Sequence, residues 1–351
     1  MPIINDPNFD PNKALPMTSP WAWDYYIKGI ANNWVPNEVP MGKDKNQWVS
    51  EDALSPQERK LVLLNLGFFA TAESLTANNL VAISKYITDF QCLQYITRQL
   101  WEEAIHTHTF IYCCETFLSS EEVDEVYKMY KTIPSVKEKD DFVINLTKSV
   151  SDPSFTTKGE QNIRFFLHDL IGYYVIMEGI FFYAGFAMML NLKRNGKMEG
   201  VGAQFEFILK DEGLHVGFGC DLINKIKSEN PQVWTPEFQK EIIGLIKNAV
   251  ELEKKYAREA CPERILGINS QQYCQYIEYI ANRRLCQIGL NKEYFDKKED
   301  GTKGKEVENP FLWMSTSTDL NKEGNFFETT IKEYQTGGRL EWDEEEDKKK
   351  S

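Results

Sequence analysis

From about residue 21 onward the apolar positions recur at helical spacing, and polar residues fill the positions between them. The helix starts are written into the sequence. "SPQERKLVLLNLGFFATAESL" opens on a capping box, Ser55 to Glu58, with Pro56 at the first helical position. "SSEEVDEVYKMYK" repeats the box with Ser119 and Glu122, and "TPEFQKEIIGLIKNAVELEKKYAREA" starts at Thr235 with Pro236 behind it. No succession of alternating strands joined by two-residue turns is present, so the pattern predicts an all-α protein. The pattern weakens at both ends. Residues 1–20 are rich in Pro, Asn and Asp and read as an extended arm. Residues 21–316 form the helical domain. Residues 317–351, with Gly337-Gly338 and the closing "DEEEDKKKS", read as a flexible tail. Tyr334 and Trp342 give that tail aromatic anchors suited to a partner protein.

The chain has 351 residues, enough for a large core, and 13% of them are aromatic. A net charge of −13 makes it a poor ligand for nucleic acid. Seven cysteines form no CxxC pair, which points to free thiols in a reducing cytoplasm rather than a disulfide framework or a thiolate zinc site. No positive segment followed by an apolar run opens the chain, so no signal peptide is expected. The segment 170–190, "LIGYYVIMEGIFFYAGFAMML", is long enough for a membrane span. It carries a glutamate at its middle and has no companion span, so a buried helix in a soluble core is expected instead.

That glutamate, Glu178, belongs to a pattern. Glu103 and His106 stand three residues apart in "EEAIHTHTF", and Glu212 and His215 repeat the spacing in "KDEGLHVGF". On a helix each pair presents a carboxylate and an imidazole on one face. Glu73, in "LGFFATAESLTANNLVAI", and Glu178 both lie in apolar helices, where an unpaired carboxylate would cost several kcal/mol or more. Glu73 precedes Glu103 by 30 residues and Glu178 precedes Glu212 by 34, so one half-site occurs twice. Four carboxylates and two imidazoles from four helices are the ligand set of ferritin-like dinuclear carboxylate proteins. Oxygen-rich ligation with one nitrogen per metal suits iron or manganese rather than copper, and the lack of thiolate argues against structural zinc. His108 and His168 have no glutamate three residues before them and are expected to serve packing or hydrogen bonding.

The segments "ANNWVPNEVPMGKD", "GFFATAESLTANN", "EEAIHTHTF", "GYYVIMEGIFFYAGF" and "KDEGLH" resemble, in order and over nearly the whole chain, the small radical-generating subunit of class I ribonucleotide reductase. The resemblance implies that Glu73, Glu103, His106, Glu178, Glu212 and His215 hold two metals that react with O2. It further implies that the oxidising equivalent passes to a large (alpha) subunit, where ribonucleotides are reduced, and that the small subunit is a homodimer. By the same resemblance Trp34 starts the transfer route, and Asp211 links Trp34 to His106. Tyr334 hands over to the large subunit, which docks on the tail. Because this chain continues past "RLEW", the docking element is expected inside the tail rather than at its end.

The resemblance breaks at one informative place. Four residues after His106, most of the family has the tyrosine that carries a stable radical; here it is Phe110. Phe182, Phe186 and Ile208 match the apolar residues that surround that spot. Glu73 stands where tyrosyl-radical members usually have aspartate. Glu73 with Phe110 resembles the tyrosine-lacking class Ic type, which stores its oxidant on a high-valent manganese–iron cluster. Two irons, two manganese ions or a radical on another tyrosine are the competing states. A dinuclear oxidase or oxygenase acting on a hydrophobic substrate is the rival function; it would need an open channel to the metals and no Tyr334. Iron storage needs a chain about half as long, and a purely structural helical protein leaves Glu73 and Glu178 unexplained.

Overall fold

A computed structural model describes residues 2–297 and 303–317. The helices are α1 (Pro20–Ala31), α2 (Gly42–Val49), α3 (Pro56–Ser84), α4 (Phe90–Phe117), α5 (Ser120–Val126), α6 (Met129–Thr132) and α7 (Pro134–Leu146). They continue with α8 (Lys148–Ser151), α9 (Glu160–Leu170), a π-helix (Ile171–Phe181), α10 (Tyr183–Arg194) and α11 (Glu199–Glu229). Then come α12 (Pro236–Ala260), α13 (Ser270–Gln287) and α14 (Leu312–Ser317).

The sequence-encoded starts are realised. Ser55 Oγ accepts from the Glu58 amide at 3.2 Å while Glu58 Oε2 accepts from the Ser55 amide at 2.7 Å. Ser119 and Glu122 form the same reciprocal pair, and Thr235 Oγ1 accepts from the Phe238 amide.

The centre is a bundle of four long helical runs. α3 packs on α4, α11 packs on both α4 and α10, and α10 returns to α3. Short connections, such as residues 85–89 between α3 and α4, make consecutive runs antiparallel neighbours. α1 covers α4 on one side, and α7, α12 and α13 enclose the π-helix on the other. The all-α, ferritin-like class expected from the pattern is the observed one.

The helical run Glu160–Arg194 is long and apolar enough to cross a membrane, but its most apolar window is wholly buried inside the protein. Its apolar length is used in the bundle interior. The sequence pattern did not disclose that Ile171–Phe181 winds as a π-helix, whose backbone bonds span five residues rather than four. It also did not disclose a two-stranded antiparallel ribbon, β1 (Phe295–Lys297) with β2 (Lys303–Glu306). The strands are too short and too charged to show an alternating signal. The first residues pack firmly although they lie outside any helix: Ile3 and Ile4 are buried, and the Ile3 amide donates to Glu229 Oε2 at 2.9 Å.

Candidate metal centre

Helical spacing aims the six expected ligands at one point. Glu73 comes from α3, Glu103 and His106 from α4, Glu178 from the π-helix, and Glu212 and His215 from α11. All six are fully buried. His106 Nδ1 lies 3.4 Å from Glu73 Oε2, 3.8 Å from Glu103 Oε2 and 3.3 Å from Glu212 Oε1. His215 Nδ1 lies 3.3 Å from Glu103 Oε1 and 3.4 Å from Glu212 Oε2. Glu103 and Glu212 therefore each turn one oxygen toward each imidazole. Glu73 closes the His106 half, and Glu178 joins Glu103 and His215 in the other half.

These groups fit a pair of cations. Both oxygens of Glu73 and of Glu212, one each of Glu103 and Glu178, and Nδ1 of both histidines lack hydrogen-bond partners. Orphaned buried polar atoms in such number are costly unless a ligand satisfies them. Two divalent ions balance four carboxylates, and each imidazole turns its ring nitrogen inward. Without cations the cluster draws protons. Burial, reinforced by neighbouring carboxylates, drives the Glu73 and Glu178 carboxyls well up. Burial disfavours the charged imidazoles, yet the surrounding acids push both His106 and His215 well up. Burial also opposes ionisation of Glu103, but the two facing imidazoles outweigh it and hold that carboxyl at about 2.

Each imidazole has an acidic partner on its outer side. Asp211 Oδ2 faces His106 Nε2 at 3.3 Å and accepts from Trp34 Nε1 at 2.7 Å. The Trp34 ring stacks on His106, centroids 6.2 Å apart, and on Phe207 at 5.1 Å. Trp34, Asp211 and His106 are thus brought together, and a surface cleft of about 230 Å³ opens beside them, lined by Asn32, Asn33, Glu38, Phe207 and Lys210.

The partner of the other imidazole escaped the sequence reading. Glu102 Oε2 faces His215 Nε2 at 2.9 Å, and Arg98 Nε donates to Glu102 Oε1 at 2.8 Å. Gly29 lies against this pair; a Cβ there would stand 3.0 Å from Glu102 Oε1. The signal was present: Glu102 directly precedes Glu103 as Asp211 directly precedes Glu212. Such an outer acid fixes the ring and raises its basicity. Gln99 was missed as well. It is fully buried, its amide donates to Glu178 Oε1 at 3.1 Å, and its carbonyl accepts from Tyr174 Oη at 3.1 Å.

Phe110 is fully buried one helical turn beyond His106. Its ring stacks on Phe69 at 5.6 Å and meets Phe205 edge-on at 5.6 Å. Phe182 and Phe186 pack on Phe69 at 4.9 and 5.2 Å, so they reach Phe110 through that ring. Ile208 is buried in the same core. Phe69 and Phe205 complete the pocket and were not singled out from the sequence. His108 is exposed, and His168 approaches the Leu146 carbonyl at 3.4 Å, so neither joins the cluster. Tyr334 and Trp342 lie outside the described residues.

Fold and site together define a ferritin-like protein with a dinuclear carboxylate centre. The family model described as ribonucleotide reductase, small chain, matches residues 11–300, and the chain belongs to that family. It is 50% identical over 341 residues to the ribonucleoside-diphosphate reductase subunit beta of Chlamydia pneumoniae, covering 97% of this chain and 94% of that one. It is 31% identical over 324 residues to the subunit M2 of Danio rerio, covering 90% of this chain and 73% of that one. Among solved structures, the ribonucleotide reductase R2 subunit from Clostridium botulinum superposes with a TM-score of 0.79 at 27% identity, covering 90% and 93% of the two chains.

Proposed function

We infer that this chain is the small subunit of a ribonucleoside-diphosphate reductase, an oxidoreductase that works with a large subunit to convert ribonucleotides to deoxyribonucleotides. The observation that carries this reading is the paired cluster joined through Asp211 to Trp34 beside a surface cleft. When bound, two metals supply a strong one-electron oxidant formed with O2. Glu73, Glu103, His106, Glu178, Glu212 and His215 hold them. Asp211 and Glu102 orient the two imidazoles, and the phenylalanine wall around Phe110 keeps water from the oxidant. Trp34, Asp211 and His106 form the inner end of the route by which one electron reaches the site. Tyr334, on the tail that docks the large subunit, is the hand-off at the outer end, relaying that electron from the large subunit.

Phe110 and Glu73 support the class Ic reading, with one manganese and one iron. A phenylalanine has no phenolic hydrogen to lose, so residue 110 would not hold the oxidising equivalent and the bound metals would. Because divalent iron binds a given site more tightly than manganese, manganese gains its place through geometry and supply. A homodimer is supported by an exposed stripe on α4, Trp101, Ala104, His108 and Ile111, which a second copy would cover. Seven free cysteines support a reducing, cytoplasmic setting.

The test is reduction of ribonucleoside diphosphates by the metal-loaded chain with and without a large subunit. Turnover is expected only with both, and Tyr334→Phe should abolish it while leaving metal content unchanged. Full turnover by the Tyr334→Phe chain, or oxidation of an apolar substrate by this chain alone, would contradict the reading.

A further inference from the structure

Outside the metal cluster the bundle hides a second set of charges. Lys139 on α7 is fully buried, and its Nζ lies 2.6 Å from Glu253 Oε2 on α12, also fully buried. The ammonium sits 3.4 Å from the centre of the Phe68 ring and 4.1 Å from that of Tyr256. A buried ion pair is seldom retained for stability alone, since well-packed apolar residues usually do as well. Its position suggests another use.

The pair straddles the junction at Phe182, where the π-helix ends and α10 begins. A change of helical register there releases backbone groups that neither helix can satisfy. Lys139 Nζ donates to the Phe181 carbonyl at 3.1 Å, and Glu253 balances that ammonium from α12. The ammonium thus meets the negative end of a backbone dipole, and the carboxylate holds the ammonium there. Two residues earlier a second buried cation repeats the contact: Arg284 Nε, from α13, donates to the Gly179 carbonyl at 2.8 Å. Gly179 leaves room for it, since a Cβ there would stand 3.0 Å from that nitrogen and 2.9 Å from the Tyr174 carbonyl. Glu178 and Phe182 lie directly on the clamped segment.

We propose that Lys139, Glu253 and Arg284 form a clasp that locks the π register of the Ile171–Phe181 helix, and that they are positioning residues for Glu178 and hence for one half of the metal centre. The clasp rests on the reading of Glu178 as a ligand. It acts through the backbone and touches neither metal nor substrate. In α register the carbonyls of Gly179 and Phe181 would return to the helix, and Glu178 would swing away from Glu103 and His215.

The test uses the full chain, stripped of metal, with three measurements: thermal unfolding, amide hydrogen exchange over residues 171–186, and Mn(II) titration. The neutral double variant Lys139→Met/Glu253→Gln removes both charges together and avoids stranding one. It is expected to fold, to exchange faster over 182–186 and to bind Mn(II) about tenfold more weakly, the scale of lost outer-sphere support. The swapped variant Lys139→Glu/Glu253→Lys keeps an ion pair but sets a carboxylate against the Phe181 carbonyl, so it should not restore binding. Wild-type exchange and Mn(II) affinity in the neutral variant, or full rescue by the swap, would overturn the clasp. Should the neutral variant fail to fold, Arg284→Gln carries the same two outcomes from the other side of the helix. Glu178→Gln separates the two readings. If it binds Mn(II) as the wild type does, the ligand assignment falls, whereas the exchange result still judges the clasp.

Discussion

A single carboxylate oxygen, Oδ2 of Asp211, accepts the Trp34 indole N–H at 2.7 Å and faces His106 Nε2 at 3.3 Å. It joins the ring that stacks beside the surface cleft to the ring that turns its other nitrogen into the metal cluster. Asp211→Asn keeps the shape but changes the charge and donor pattern. Metal affinity is expected to weaken roughly 10-fold, within the range for outer partners of metal-bound imidazoles. Turnover with the large subunit should fall further than affinity does. Trp34→Phe, which cannot donate to Asp211, should keep its metals and lose turnover. Metal analysis beside an activity assay checks both.

Glu102 makes the matching prediction for the other imidazole. Glu102→Ala leaves His215 Nε2 and Arg98 Nε without their acid. Binding of one metal ion per chain should weaken about 10- to 100-fold while the second binds almost normally. Calorimetric titration of the metal-free chain would resolve two unequal sites. Two unchanged sites would show that His215 needs no outer acid.

Phe110→Tyr places a hydroxyl in a pocket walled by Phe69 and Phe205, with Phe182 and Phe186 packed behind Phe69. An unsatisfied buried hydroxyl costs about 1–3 kcal/mol, so the metal-free variant should melt a few degrees lower. The proposed storage of the oxidising equivalent on the metals predicts no gain in turnover. Increased turnover in the variant would contradict that assignment.

Asp169 gives a prediction in pH. Burial raises its carboxyl to about 7, against the opposing pull of the Val150 amide, which donates to it at 2.8 Å. A carboxyl with a raised folded pKa favours the fold while protonated. Its contribution is therefore complete below the usual carboxylate range and is lost as pH rises through about 7. Asp169→Asn should remove this loss. Melting temperatures of metal-free wild type and variant should be close near pH 3.5, draw apart as pH rises toward 7, and differ by a few degrees in favour of the variant near pH 8.

The sequence disclosed what rests on spacing and residue type. The two Glu-x-x-His pairs, and the carboxylates Glu73 and Glu178 stranded in apolar helices, are enough by themselves to locate the cluster. The all-α class followed from periodicity and the capping boxes. What stayed hidden depends on register and distant approach. Glu102 looked like one more helix-face glutamate because only packing shows that it turns inward to His215. Gln99 is an ordinary amide until Tyr174 and Glu178 close on it. Nothing in "LIGYYVIMEGIFF" distinguishes π from α winding, because the carbonyls it releases are met by Lys139 and Arg284 from remote helices. The roles of Tyr334 and Trp342 rest on the sequence alone.

The most direct measurement is manganese and iron bound per chain, determined across a series of reconstitutions with both ions and O2 and compared with ribonucleotide reduction by the complex with the large subunit. The account predicts two metals per chain and an activity maximum at one manganese and one iron. Full activity in protein that holds iron alone would contradict it.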